Sequence, residues 1–413
     1  MIASTRIFVV VALLLALAAF GSDVGPASTT RATAGASTPS SVEPSAPVDS
    51  TEPTEQAAAF PVAAFAGISE DPVAEELAAK FQAALEVHDV TGGGGMSATV
   101  MTPEGTWSGT TGKADGVRDL QVDDQFAIAS ITKSVVAAQV MLMVEAGELA
   151  LDDLAADHLP PDLQFDANDA TIRHLLSHRS GIPDYYDLLY ESQQTDFQRV
   201  WTPTEILELL PTGRTPPGST FSYAETNYLL LKLVIEHLRG RPLTDVLREG
   251  VLAINGLERL VHQPDESPTE PMAMPAGESN AVLEIRGGYL PSLASTTAYN
   301  ASGAIASDSL SLARWWRALC AGEIISQASL TEISTFEPAA YLGSYGLGVY
   351  NPANGYAPGF GHTGQLPGYM SWAACLPEDE AVIVVLTNHE VDDGHLAFSH
   401  GLARPLVDAL RLG

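Results

Sequence analysis

Strand-forming patterns occupy the two ends of this chain, and a helical pattern fills the stretch between them. Near the start, Met96-Ser-Ala-Thr-Val-Met-Thr102 and Thr106-Trp-Ser-Gly-Thr-Thr-Gly112 flank a Pro-Glu-Gly turn, which reads as an antiparallel hairpin. Near the end, Tyr345-Gly-Leu-Gly-Val-Tyr350, Tyr369-Met-Ser-Trp-Ala-Ala-Cys-Leu376 and Ala381-Val-Ile-Val-Val-Leu-Thr387 read as three further strands. From about Ile131 to Leu260, apolar residues recur at helical spacing, punctuated by Leu159-Pro-Pro-Asp and Thr215-Pro-Pro-Gly-Ser. A helix is expected from Asp71-Pro72 onward, and a closing helix around Leu402–Leu412. Such a chain suits an α+β architecture: one antiparallel β-sheet assembled from both termini, flanked by helices, with an all-helical domain inserted in the middle. Ligand clefts commonly lie where two such lobes meet.

The first 21 residues carry Arg6, then an apolar run, then small residues, the pattern of an export signal. Phe20 stands where a lipoprotein signal needs cysteine, so lipid anchoring is not expected; an uncleaved N-terminal segment is the alternative membrane attachment. Residues 22–66 are read as a Ser/Thr/Pro/Ala-rich disordered linker, because the stretch has too little apolar surface to offset its ordering entropy. The folded domain is expected over 67–413, with a sheet lobe at 67–130 and 280–413 and a helical lobe at 131–279. A formal net charge of −31 argues against nucleic acid and anionic lipid as partners. Cys320 and Cys375 can pair in an exported protein, but sequence does not say whether they are within bonding range. The expected location is secreted or cell-wall, and the oligomeric state is left open.

Only four lysines occur in the chain, at 80, 113, 133 and 232, and Lys133 lies in an apolar run three residues after Ser130. If Ser130 opens a helix, both side chains share a face. Burial disfavours the ammonium form, and a neutral amine beside a hydroxyl is a general base beside a nucleophile. The helix start also offers backbone N–H groups that can hold an oxyanion. Further along, Tyr223 in Ser222-Tyr-Ala-Glu225 follows a turn and precedes an apolar helix, where a phenol can relay a proton. In Gly359-Phe-Gly-His-Thr-Gly-Gln365, glycines permit close approach to an edge strand while His362 and Thr363 project donors into a cleft. Each element alone has an ordinary structural explanation.

Together and in this order, Ser130-Ile-Thr-Lys133, Tyr223-Ala-Glu225 and His362-Thr363-Gly364 resemble the motifs of the penicillin-recognising serine hydrolases: D-alanyl-D-alanine carboxypeptidases, class C β-lactamases and related esterases. Thr171–Tyr185, Ser302–Trp315 and Leu386-Thr-Asn388 add supporting matches. The resemblance implies a β-lactamase/transpeptidase-like fold and an acyl-enzyme on Ser130, with Lys133 and Tyr223 moving the proton and the amides of Ser130 and Gln365 holding the oxyanion. It also implies substrate contacts at Glu225, His362, Thr363, Gly364 and Gln365, and no cofactor or metal. The expected substrates are cell-wall peptides or β-lactams; the alternatives are an esterase or a catalytically weak cell-wall binding protein. Two departures stand out. Glu225 replaces the family's asparagine, and no Lys or Arg occurs between Arg317 and Arg404 to anchor a substrate carboxylate, leaving His362 and Thr363 to do so. His174 and His178 have a metal-capable spacing, but no third ligand accompanies them.

Overall fold

The computed structural model describes residues 58–412 apart from 89–92, 277, 279–283, 354 and 390–400. The expected export signal and most of the expected linker lie outside the described residues. The strands are β1 Gly95–Thr102, β2 Gly105–Gly112, β3 Phe126–Ala127, β4 Val261–His262, β5 Ile305–Ser307, β6 Glu337–Ala339, β7 Gly343–Tyr345, β8 Phe360–Leu366, β9 Tyr369–Leu376 and β10 Ala381–Thr387. The helices used below are α1 Ala63–Ala66, α2 Glu75–Leu85, α3 Thr132–Glu145, α4 Ile172–Leu176, α5 Tyr186–Thr195, α6 Pro203–Leu209, α7 Glu225–Arg239, α8 Leu243–Glu249, α9 Leu293–Ala298, α10 Asn300–Gly303, α11 Ser309–Cys320, α12 Gln327–Ile333 and α13 Arg404–Arg411.

The main sheet has the order β2-β1-β10-β9-β8, antiparallel throughout. The N-terminal hairpin joins the C-terminal strands through β1 and β10, with Met96 opposite Thr387 and Met101 opposite Val382. Every residue of β1, β9 and β10 is buried, because both faces of the sheet are covered. On one face Met96, Ala98, Val100, Trp372 and Ile383 pack with Phe81 of α2 and Leu406 and Val407 of α13. On the other, Val382, Val384 and Leu386 join the larger core that includes α11 and the helical lobe. Two β1 hydroxyls on that face, Ser97 and Thr99, both bond Ser309 Oγ at 2.9 Å, so the polar atoms buried under α11 satisfy one another. The Cys320–Cys375 disulfide ties α11 to β9.

Four boundaries differ from expectation. The fold begins before residue 67: Phe65 of α1 is fully buried and Phe60 packs edge-on against Phe360, 4.9 Å between centroids, because this stretch carries two aromatics that the polar tract before it lacks. Helix α2 starts at Glu75 rather than Asp71, since residues 71–73 run extended beside the hairpin, with Thr106 N–H donating to the Asp71 carbonyl at 2.7 Å. Tyr345–Tyr350 is not a strand of the main sheet. β7 ends at Tyr345 in a two-stranded sheet with β6, and Gly348 takes φ +76°, which turns the chain away. The expected lobes also interpenetrate, for β4 of the helical segment pairs with β5, and α10 from the C-terminal segment packs between α3 and α7.

Candidate active site

Ser130 sits on a single 3-10 turn, Ala129–Ile131, between β3 and α3. Ala129 adopts φ +49°, a conformation costly for a residue with a Cβ, and it lets the chain reverse sharply from strand into helix. The reversal leaves Ser130 partly exposed while Ala129 and Ile131 are buried. Helix α3 is apolar on nearly all sides and correspondingly buried, so Lys133, one turn on, has no accessible surface.

Lys133 Nζ has three oxygen partners: Ser130 Oγ at 3.1 Å, Glu225 Oε2 at 2.7 Å and the Ser302 carbonyl at 2.9 Å. A neutral amine has two N–H bonds and one lone pair. The carboxylate and the carbonyl can only accept, so they take the two N–H bonds and the lone pair is left for the Ser130 hydroxyl proton. Burial holds the Lys133 pKa below its ordinary value, while the adjacent Glu225 charge opposes that shift. In its neutral form the amine would have its orientation set by two fixed acceptors, with its lone pair turned to Ser130.

Tyr223 faces the same hydroxyl, and burial pushes its pKa well above the ordinary value. It stays a protonated donor at neutral pH. Lys133 Nζ lies 4.8 Å from the centroid of the Tyr223 ring, so base, phenol and nucleophile form one cluster around Ser130 Oγ.

Edge strand β8 forms the opposite wall. Gly361 exchanges both backbone bonds with Tyr350 at 2.9 Å, on the side away from β9. By strand alternation Thr363 and Gln365 direct their N–H groups the same way, the orientation an oxyanion donor at Gln365 requires. Gly364 explains how the strand comes so near the nucleophile turn: a Cβ there would lie 2.2 Å from the Ile128 carbonyl and 3.0 Å from Ala129 Cβ. His362 differs from expectation. Its Nδ1 bonds the Thr363 carbonyl and its Nε2 accepts from the Tyr345 hydroxyl at 3.0 Å, which commits both ring nitrogens. It is 2% exposed, and burial lowers its pKa to about 3, so it is neutral and offers a substrate carboxylate neither charge nor a free donor. Thr363 Oγ1 is 2.6 Å from the Tyr350 hydroxyl.

Glu225 has a task beyond the substrate contact expected of it: its Oε2 accepts from Lys133 Nζ at 2.7 Å and helps to orient the buried amine. Its backbone N–H donates to Asp184 Oδ1 at 2.8 Å, which brings a second carboxyl to the site. Burial and the neighbouring Glu225 charge raise the Asp184 pKa to about 7. Asp184 lay inside a segment read only as a supporting match, and no local signal in Pro183-Asp184-Tyr185 ties it to Glu225, 41 residues on.

His178 was also missed as a site residue. Its ring stacks on Tyr223, centroids 4.1 Å apart, and its Nδ1 faces the Ala224 N–H and Asn227 Nδ2, each at 3.1 Å. Its carbonyl accepts from Ser222 N–H at 2.8 Å, so this one residue grips the chain on both sides of Tyr223. Two donors on Nδ1 require the ring proton to sit on Nε2, and burial keeps the ring neutral. His174 instead closes a capping box with Thr171 at the start of α4, so the two histidines serve separate structural tasks. Asn388 is likewise a fastener: its amide bonds Lys113, Ala114 and Met274 carbonyls and the Gly95 N–H.

A hydroxyl flanked by a buried amine and a phenol, beside an edge strand whose outward N–H groups alternate on one side, is a geometry that can carry acyl transfer. A model of the family described as Beta-lactamase matches residues 77–403, and the chain belongs to that family. It is 26% identical to penicillin-binding protein 4* of Bacillus subtilis strain 168 over 304 residues, 67% of this chain and 63% of that protein. It is 27% identical to a D-aminopeptidase of Cereibacter sphaeroides over 325 residues, 76% of this chain and 60% of that protein. The chain thus spans about three fifths of the length of these curated relatives. Among solved structures, the D-amino acid amidase from Ochrobactrum anthropi SV3 complexed with L-phenylalanine amide superposes with a TM-score of 0.70 and 26% identity, over 82% of this chain and 99% of that one.

Proposed function

We propose that this chain is an exported serine amidohydrolase that cleaves D-aminoacyl amides or N-terminal D-residues through an acyl-enzyme on Ser130. The observation that carries the reading is the neighbouring carboxyls of Glu225, on the Lys133 amine, and Asp184, on the Glu225 backbone N–H. Among the described residues no arginine, and no lysine besides Lys133, bonds Ser130, Glu225, His362 or Thr363. A site with two acids and no free cation suits a substrate that presents an ammonium group and not a carboxylate. The D-aminopeptidase and D-amino acid amidase relatives support the D configuration. The penicillin-binding relative favours D-Ala-D-Ala peptides or β-lactams as the second reading.

In the proposed reaction Ser130 Oγ bonds the carbonyl carbon as its proton passes to the Lys133 lone pair. The carbonyl electron pair moves onto oxygen, which the N–H groups of Ser130 and Gln365 stabilise; one such donor is typically worth about 3 kcal/mol in the transition state. The C–N bond then breaks, and the proton taken by Lys133 travels by way of the Tyr223 hydroxyl to the departing nitrogen. Water repeats the steps in reverse order against the ester, releasing the acid and restoring Ser130.

Incubation with the D- and L-enantiomers of alaninamide and phenylalaninamide, with ammonia release and intact mass followed together, tests this. The D-amides should turn over, with an acyl adduct that disappears in Ser130→Ala. Release of D-alanine from a D-Ala-D-Ala peptide, or penicillin labelling of Ser130, without turnover of any D-amide would overturn it in favour of the second reading. Turnover of p-nitrophenyl esters alone would favour the esterase. Export is supported by the charged and apolar start of the sequence and by the bonded Cys320–Cys375 pair, which persists in oxidising compartments. Its test is N-terminal sequencing of the protein recovered outside the cell; a mature form that retains Met1 in the cytoplasm overturns it.

A further inference from the structure

A cavity of about 180 Å³ lies beside the β8–β9 turn, walled by Gln193 of α5, Phe197, Arg286, Ser295, Pro367 and Gly368. Pro367 follows Gln365 by two residues, so the cavity adjoins the end of β8 where the oxyanion donor stands. Tyr299 connects it to the acidic pair. The phenol feels the charges of Glu225 and Asp184 and faces Gln193, and its ring stacks on Tyr185 and Tyr186, the residues next to Asp184.

Eight buried side-chain polar atoms among the described residues have no hydrogen-bond partner, and two of them, Gln193 Nε2 and Arg286 Nε, belong to the walls of this one cavity. Gln193 is 3% exposed and Arg286 7%. Both atoms are donors. Gln193 Nε2 turns toward the Tyr299 hydroxyl without reaching hydrogen-bond geometry. Most of the other polar groups are spent on one another: Ser295 Oγ donates to Gln193 Oε1 at 3.2 Å and receives Ser292 Oγ at 3.1 Å. Arg286 Nη2 pairs with Glu278 at 2.7 Å and Nη1 donates to the Pro291 carbonyl at 2.9 Å, while the Phe197 ring lies 4.8 Å from the guanidinium carbon. The cavity therefore has its charge already balanced and presents two unpaired donors, with Glu278 Oε1, on a residue that also lines it, as the acceptor left over. A carboxamide meets both needs, its oxygen facing the donors and its N–H facing Glu278, whereas a carboxylate would be buried beside Glu278 against its charge. At about 30 Å³ per water-sized group, the volume holds roughly six such groups, the scale of one extended side chain.

We propose that this cavity is the side-chain subsite for the acyl residue, and that it selects a side chain ending in a carboxamide, of the glutamine type. The proposal rests on the D-aminoacyl reading for the configuration of that residue. It is tested by presenting D-glutamine, D-leucine and D-glutamate both as amides and as p-nitrophenyl esters, and following acylation of Ser130 by mass and by rate. The expected kcat/KM for D-glutamine exceeds that for D-leucine by about tenfold, the worth of satisfying one buried donor, and D-glutamate gains no such advantage. In Gln193→Met, and in Arg286→Lys, which keeps a positive charge opposite Glu278, the glutamine-to-leucine ratio should fall toward one, with thermal unfolding recorded to verify the fold. A wild-type ratio at or below one, or a ratio unchanged in both variants, overturns the subsite. Inert amides combined with a glutamine preference among the esters would sink the amidase reading and leave the subsite standing. Acylation by none of these compounds overturns both.

Discussion

Residue by residue, the site is a proton-handling cluster in which burial sets the ionisation states. Lys133, His362 and His178 are all held toward their neutral forms, and Tyr223 is held protonated, by the same exclusion of water. Asp184 titrates nearest neutrality. Its pKa is raised to about 7 from 3.8, so the folded state binds this proton more tightly than the unfolded chain. Stability should accordingly decline as the pH rises from about 4 to 7, and Asp184→Asn should flatten that decline in denaturant titrations run at several pH values. The same ionisation should lower the KM of amine-bearing substrates as the pH rises through about 7. His178→Phe keeps a ring against Tyr223 but removes the acceptor for the Ala224 and Asn227 donors; kcat should drop about 10- to 100-fold with KM nearly constant. His178→Asn tolerates the left-handed backbone of φ +57° and restores an acceptor, so it should recover part of the rate.

Among the elements, the decisive contact is edge strand β8 against the nucleophile turn. Gly364→Ala puts a methyl group 2.2 Å from the Ile128 carbonyl, and backbone cannot yield as a side chain can. It should cost about 1–3 kcal/mol in urea unfolding and reduce acylation of Ser130 further, because the strand that carries Gln365 must move away. The glycines of this segment announced a close approach in the sequence, though not which backbone approached. Tyr345–Tyr350 carried the same glycine pattern and misled, because its glycines serve a turn and a contact with Ile333 instead of a strand. The disulfide works at this scale too. It closes a 55-residue separation between α11 and β9, for which chain entropy gives about 4 kcal/mol. The Cys320→Ser, Cys375→Ser double variant should lose stability of that order in urea unfolding, while retaining Ser130 acylation, since neither sulfur touches the site.

For the whole molecule, residues 56–413 form one compact unit. A chain beginning at Gln56 should fold with the melting temperature of the full-length protein; one beginning at Gly67, which lacks buried Phe60 and Phe65, should melt lower by several degrees. The segregation of strand and helix patterns was legible at this scale because period-two and period-3.6 alternation are local properties. So was the Ser130–Lys133 pair, since three residues on one helical turn share a face wherever that helix goes. What meets that face is a long-range matter. The Ser302 carbonyl that orients the lysine, the Asp184 carboxyl behind Glu225 and the His178 ring under Tyr223 lie about 40 to 170 residues away from the groups they serve. The sequence by itself determined the pairing of Ser130 with Lys133 on one helical turn and the elements that hold the pair, because local periodicity and burial suffice for those. Only the tertiary structure decided that Glu225 orients the buried Lys133 amine and that both ring nitrogens of His362 are already engaged, since ionisation and bonding follow from neighbours brought together by folding.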